Sequence, residues 1–254
     1  MLEKMAKDSA EPSVDEARQS AKTLVEFAYN QIREQILTGK LEAGSKLKVE
    51  VLRAQFGVGA STMREALSLL IADALVTAEG QRGFRVAPIS LEDLEDISSM
   101  RKLLECRALR ESIENGSEEW EAGVVAAYHR LSRVEERLYD DPSGTAAEWE
   151  VRNRAFHDAL LAGCKSKWLH HFHNILYDQA VRYRRMILAA PQIGRDVRKE
   201  HEEILNAVLK RDADTACALT ADHIERTLSA VSSLLRAKEI ESRAKAGQKK
   251  MALA

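Results

Sequence analysis

The chain has 254 residues, 45% of them hydrophobic and 31% charged, with 12 Gly and 4 Pro; this describes a mostly helical protein of one large or two ordinary domains. The formal net charge of −2 is too close to zero for a protein that simply coats nucleic acid, so a DNA-binding case must rest on local placement of charge. No apolar run reaches about 18 residues, and the start MLEKMAKDSAEPSVDEARQ lacks the apolar core of a secretory signal. These features exclude a membrane span and predict a cytoplasmic protein. Cys106, Cys164 and Cys217 are far apart and odd in number, which predicts reduced core thiols rather than a disulfide framework.

Residues 1–21 are polar without apolar period and read as a disordered arm. From 23 to 37 the positions Leu24, Phe27, Ala28, Ile32, Ile36 and Leu37 recur at helical spacing, and Gly39 follows as a stop. A linker, LEAGSKLK, leads to a second helix over about 49–56. Gly57 and Gly59 make a turn, and Ser61 is expected to N-cap a third helix, STMREALSLLIADAL. The runs LVTAE and FRVAP around Gly-Gln-Arg-Gly predict a β-hairpin. Helix, helix-turn-helix and hairpin in this order give a winged helix-turn-helix over 22–88.

Pro88-Ile89-Ser90 reads as a hinge. Beyond it helical pattern runs over about 91–114, 118–139, 145–164, 167–188, 195–211 and 213–236, with strand signals absent. This predicts an all-α bundle of six or seven helices over 91–238 for effector binding and dimerisation, then a flexible charged tail at 239–254.

In the third helix Leu67, Leu70, Ile71 and Leu75 form a packing face, leaving Ser61, Thr62 and Arg64 at the exposed N-terminal end. Hydroxyls and main-chain N–H groups there suit phosphate, and an arginine reaches a phosphate or the O6/N7 edge of guanine. Lys46, Lys48, and Arg82 with Gly83 at the hairpin tip can face the same duplex. Residues 23–88 hold eight Lys/Arg against seven Asp/Glu, so affinity per subunit should be modest and a homodimer is expected to supply the rest.

The stretch IREQILTGKLEAGSKL…LRAQFGVGASTMREALSLLIADALV…QRGFRVAP resembles the winged helix of the GntR regulators almost end to end. Two departures stand in it: Ala60 and Glu50 occupy places where that family often carries arginine, so the family's common operator consensus does not carry over. Residues 91–232 resemble the FCD effector domain of the FadR-type branch. That resemblance rests on Arg101 with Glu105, Asn153–His157 as N-R-x-F-H, Glu200–Ile204 as E-H-x-x-I, and Asp222-His223. The carbon-starvation-induced regulator subgroup is the most similar in feel.

Asn153 and His157 stand i, i+4 on one helix face, and His201 and His223 on two further helices. Three imidazoles and an oxygen donor converging in a bundle suit Zn²⁺ or Ni²⁺. The resemblance implies a metal site with Asp where this chain has Asn153, a neutral amide that leaves the site one negative charge short; the histidines then hold either a metal or an anionic ligand directly. Arg101 is implied to pair with an effector carboxylate, the alternative being a helix-surface ion pair with Glu105. One of Tyr183 and Arg185 is expected to line the same pocket. His170, His171 and His173 are expected at the surface or in a dimer contact.

These readings describe a regulator, expected to be a repressor, that binds a palindromic operator as a homodimer and is released by a small carboxylate or dicarboxylate. The alternative is a metal-dependent enzyme using the histidine cluster, which would leave the winged helix without a purpose.

Overall fold

The computed structural model describes residues 14–80, 83–138, 140–188 and 195–251. The chain divides into two compact units, 1–89 and 90–254.

The first unit begins with α1 (Val14–Ser20), which corrects the expectation of a disordered arm over its last residues. Ala17 and Ala21 pack onto the unit's core; residues 1–13 lie outside the described residues. Helix α2 (Leu24–Leu37) is N-capped by Thr23, whose hydroxyl accepts from the Glu26 N–H, while the Glu26 carboxylate accepts from the Lys22 N–H, a variant of the reciprocal capping box. Helix α3 (Val49–Phe56) ends at Gly57 with φ +63°, a left-handed cap that glycine adopts without strain. Helix α4 (Ala60–Ala72) follows, with Gly59 as its N-cap and no side-chain cap bond. Ser61 therefore sits inside the first turn rather than capping it, because the turn closes two residues earlier than the serine suggested.

A three-stranded antiparallel sheet completes the unit: β1 (Lys46–Leu47), β2 (Val76–Ala78) and β3 (Phe84–Val86) in the order β1-β3-β2. Lys46 pairs with Arg85, and Val76 with Val86. Strand β1 falls in the stretch read as a linker; two residues give no alternation to detect. Phe27, Ile32, Leu52, Phe56, Met63, Leu67, Leu70 and Val86 form the core, so α4 buries one face and leaves the other to solvent.

The second unit is all helix: α5 (Leu91–Asn115), α6 (Glu118–Leu138), α7 (Pro142–Leu161), α8 (Lys167–Leu188), α9 (Val197–Leu209) and α10 (Ala213–Met251). Helix α10 runs through most of the segment expected to be a flexible tail. Ser90 caps α5 by accepting from the Asp93 N–H. Leu109, Val124, Leu131, Trp149, Phe156, Leu160, Ile204 and Val208 fill the core. The packing α6 on α7, α10 on α5 and α9, and α5 on α8 brings one buried face of each helix to a common centre.

Candidate metal and effector site

Three helices deliver imidazoles to that centre. His157 on α7, His201 on α9 and His223 on α10 are all buried. Their ring centroids lie 5.5 Å (157–201), 5.3 Å (157–223) and 4.8 Å (201–223) apart. One ring nitrogen from each falls within 4.8 Å of the others.

Carboxylates fix two of the tautomers. His201 Nδ1 lies 2.7 Å from Oε1 of Glu135 on α6; a carboxylate only accepts, so Nδ1 donates and Nε2 keeps its lone pair. His223 Nδ1 lies 2.8 Å from Oε2 of Glu200. Arg195 Nη2 is 3.1 Å from the same Nδ1, but its hydrogens have better acceptors in the Glu200 carboxylate and the His223 carbonyl, so Nδ1 again donates. Carboxylates on the outer nitrogens of inward-facing imidazoles are the arrangement that orients metal-bound histidines.

Two atoms of the donor set are left over. His201 Nε2 and Asn153 Oδ1 are buried without a hydrogen-bond partner, and the Asn153 amide N–H donates instead to the Tyr177 hydroxyl at 2.8 Å. A buried lone pair without a donor carries a desolvation cost of about 1–3 kcal/mol, which a divalent ion on these atoms removes. Burial, then the neighbouring imidazoles, hold His157 well below the ordinary histidine range; burial, His201 and Arg195 do the same for His223. Neutral imidazole is the ligand form. The donor set therefore fits a borderline ion such as Zn²⁺ or Ni²⁺.

Beside the histidines lies a buried ion pair. Arg101 Nε donates to Glu105 Oε1 at 2.7 Å, with both side chains under 5% exposed; the pair with Glu105 exists but is not on the helix surface. Burial alone would raise the Glu105 carboxyl, yet Arg101 and then His173 outweigh it and hold it well below the usual carboxylate range. Arg101, Arg154 and Arg184 stack around the Tyr177 ring at 5.2, 4.9 and 5.0 Å, within cation–π range.

Of the run 181–185, Arg184 is the residue beside this ring. Arg185 is exposed, and the Tyr183 hydroxyl is engaged by Asp93 at 2.6 Å and by the Ser90 N–H at 3.1 Å. The expectation for Tyr183 or Arg185 is thus corrected: a helix turns 100° per residue, and spacing from Tyr177 puts the seventh residue, not the sixth or eighth, on its face. His173 is corrected too. It is 2% exposed and lies 3.6 Å from Glu105 and 3.5 Å from Asp158, whereas His171 is exposed and His170 approaches the Cys164 carbonyl at 2.8 Å.

In the first unit, Ser61 and Arg64 are exposed on α4 and Thr62 half-buried; Lys46 and Lys48 are exposed around β1. Gly83 has φ +97° at the wing; Arg82 lies outside the described residues.

Residues 24–86 match the bacterial regulatory proteins of the gntR family, and residues 96–226 match the FCD domain. The chain belongs to the GntR family and carries an FCD domain. This GntR regulator is 44% identical over 212 residues to the HTH-type transcriptional regulator BphR of Paraburkholderia xenovorans (strain LB400), covering 84% of this chain and 86% of that protein. It is 35% identical to the HTH-type transcriptional repressor GlaR of Escherichia coli (strain K12), covering 77% and 90%. Among solved structures, E. coli McbR/YncC superposes with a TM-score of 0.71 over 85% of this chain and 100% of that one, at 18% identity, a likeness of fold. These relatives are regulators and not enzymes, so the enzyme alternative falls. The FCD bundle is the effector domain, the GntR unit the DNA-binding one, and among the described residues no helix is long and apolar enough to cross a membrane.

Proposed function

We propose that this GntR regulator is a repressor released from a palindromic operator when a small carboxylate, mono- or dicarboxylate, enters the histidine site. The observation that carries this reading is the charge of the donor set. His157, His201, His223 and Asn153 are neutral donors, so a divalent ion held by them keeps its full charge. An acidic ligand in place of Asn153 would have cancelled part of it; here an effector carboxylate supplies the missing anion. Arg101 and Arg184, buried beside Tyr177 and paired with Glu105 and Glu150, offer their remaining N–H groups to the same or a second carboxylate. When bound, the ion acts as a fixed positive charge that recognises an anion; the residues of this chain orient it and exclude water.

On the operator, Arg64 reads a base or phosphate, with Ser61, Thr62, Lys46, Lys48, Arg82 and Gly83 along the backbone. Two copies match a two-fold operator. Trp168 and Phe172 on α8 are half or more exposed and stack on each other, giving an apolar face for the second copy. The effector acts by preferring the conformer that binds DNA less well.

A reporter fused to the promoter of this chain's own gene, in a host lacking the gene, tests the reading. Supplying the regulator should lower expression, and one small carboxylate should restore it. Increased expression on supplying the regulator would contradict repression.

A further inference from the structure

Cys106 on α5 and Cys217 on α10 are 111 residues apart in sequence and meet across the helix pair. The Cys106 thiol lies 3.4 Å from the Cys217 carbonyl oxygen, and the Cys217 thiol lies 3.3 Å from the Cys106 carbonyl oxygen. The two sulfurs therefore cross between the two backbones, each beside the other residue. Both thiols are free. They form part of the wall of an open groove of about 580 Å³, together with Ser99, Lys102, Arg107 and Arg110. The groove brings solvent to the pair, and its rim carries Lys102, Arg107 and Arg110, ion-paired in turn with Glu225, Glu111 and Asp214. Cys217 and Cys164 are both buried members of the apolar core, and Cys106 is half-buried against it.

The pair is also asymmetric. The neighbouring Cys106 thiol and then the Arg110 guanidinium outweigh burial and lower the Cys217 thiol. Cys106 is raised. The Arg110 guanidinium beside Cys217 favours its thiolate as the nucleophile, with Cys106 as the resolving sulfur.

We propose that Cys106 and Cys217 are a peroxide-reactive dithiol that closes to a disulfide between α5 and α10. The Cys217 thiolate attacks the nearer oxygen of a hydroperoxide, ROOH. The O–O bond breaks, sulfur becomes a sulfenic acid, and alkoxide leaves to take a proton as ROH. The Cys106 sulfur then attacks the sulfenic sulfur; the S–S bond forms, the S–O bond breaks, and hydroxide leaves with the Cys106 proton as water. Two thiols are oxidised by two electrons in total, and one hydroperoxide is reduced to ROH and water. A thiol donor reverses the reaction. Because α5 carries Arg101 and Glu105 and α10 carries His223, closing the bond ties together two helices that furnish the sensor site.

The full-length protein treated with hydrogen peroxide tests this. Titration after unfolding should fall from three thiols per chain to about one and return with dithiothreitol, and peptide mapping without reductant should recover Cys106 joined to Cys217. In Cys106→Ser the reaction should stop at a dimedone-reactive sulfenic acid on Cys217; Cys217→Ser should lose thiol at least about ten-fold more slowly than the parent. Three titratable thiols after peroxide, a disulfide linking only separate copies, or a Cys217→Ser variant oxidised as fast as the parent would each overturn the proposal.

Discussion

Glu135 and His201 sit 66 residues apart on α6 and α9, and the carboxylate of the first holds Nδ1 of the second at 2.7 Å with both side chains at most 2% exposed. The contact decides which nitrogen of His201 faces the centre. Glu135→Gln keeps the shape but offers an amide that can present either end, so the tautomer is no longer imposed. The expected result is a loss of about 10- to 100-fold in Zn²⁺ or Ni²⁺ affinity, read by competition against a chromophoric chelator. Unchanged affinity would remove Glu135 from the metal site.

Arg64 is exposed near the start of α4, whose buried face is made by Met63, Ala66, Leu67 and Leu70. Arg64→Ala should therefore leave the thermal midpoint within error. Operator binding should weaken by about 1–3 kcal/mol if the guanidinium reads a guanine. Full-strength binding by the variant would mean that another side chain enters the groove.

Glu105 links stability to pH with a definite sign. Its folded value is held below the unfolded one by Arg101 and His173 against burial. The stabilisation is therefore complete above about pH 4.3, the unfolded value, and is lost as the pH falls through the folded value. Urea unfolding between pH 7 and pH 3 should show that acid loss in the parent and a shallower one in Glu105→Gln. The variant should already be weaker at pH 7 by about 3–5 kcal/mol, since Arg101 is left buried without its counter-charge.

Ala74 follows α4 with φ +57°, a left-handed conformation that costs a residue with a Cβ about 1–2 kcal/mol. After the extra chain entropy of glycine is subtracted, Ala74→Gly should stabilise the first unit by about 0.5–1 kcal/mol, measured by denaturant midpoint. A lower midpoint would contradict the backbone assignment.

The parts legible in the sequence were those fixed by local rules. The helix-turn-helix followed from the apolar period of α2 to α4 and from Gly57. The imidazole site followed from Asn153 and His157 at i, i+4, with His201 and His223 added by the family pattern. Contacts that join distant positions left no local mark: Glu135 against His201, the Tyr177 ring among three arginines, and Cys106 against Cys217. A buried ionic residue such as Glu135 or His173 reads as a solvated helix face until its partner is known. Tyr183 and Arg185 are misplaced for a related reason, since one residue of phase from Arg184 turns Tyr183 to Asp93 and Ser90 and Arg185 to water. Strand β1 was too short to carry a period.

In the proposed function a ligand at the histidine site governs operator binding. Fluorescence anisotropy of a labelled duplex from upstream of the gene, titrated with the full-length chain in the presence of Zn²⁺ and a panel of small mono- and dicarboxylates, tests it most directly. The expected result is tight binding that weakens with salt, is relieved by one acid, and is no longer relieved in His201→Ala although that variant still binds DNA. Binding that no acid disturbs, or an acid response that survives in His201→Ala, would contradict it.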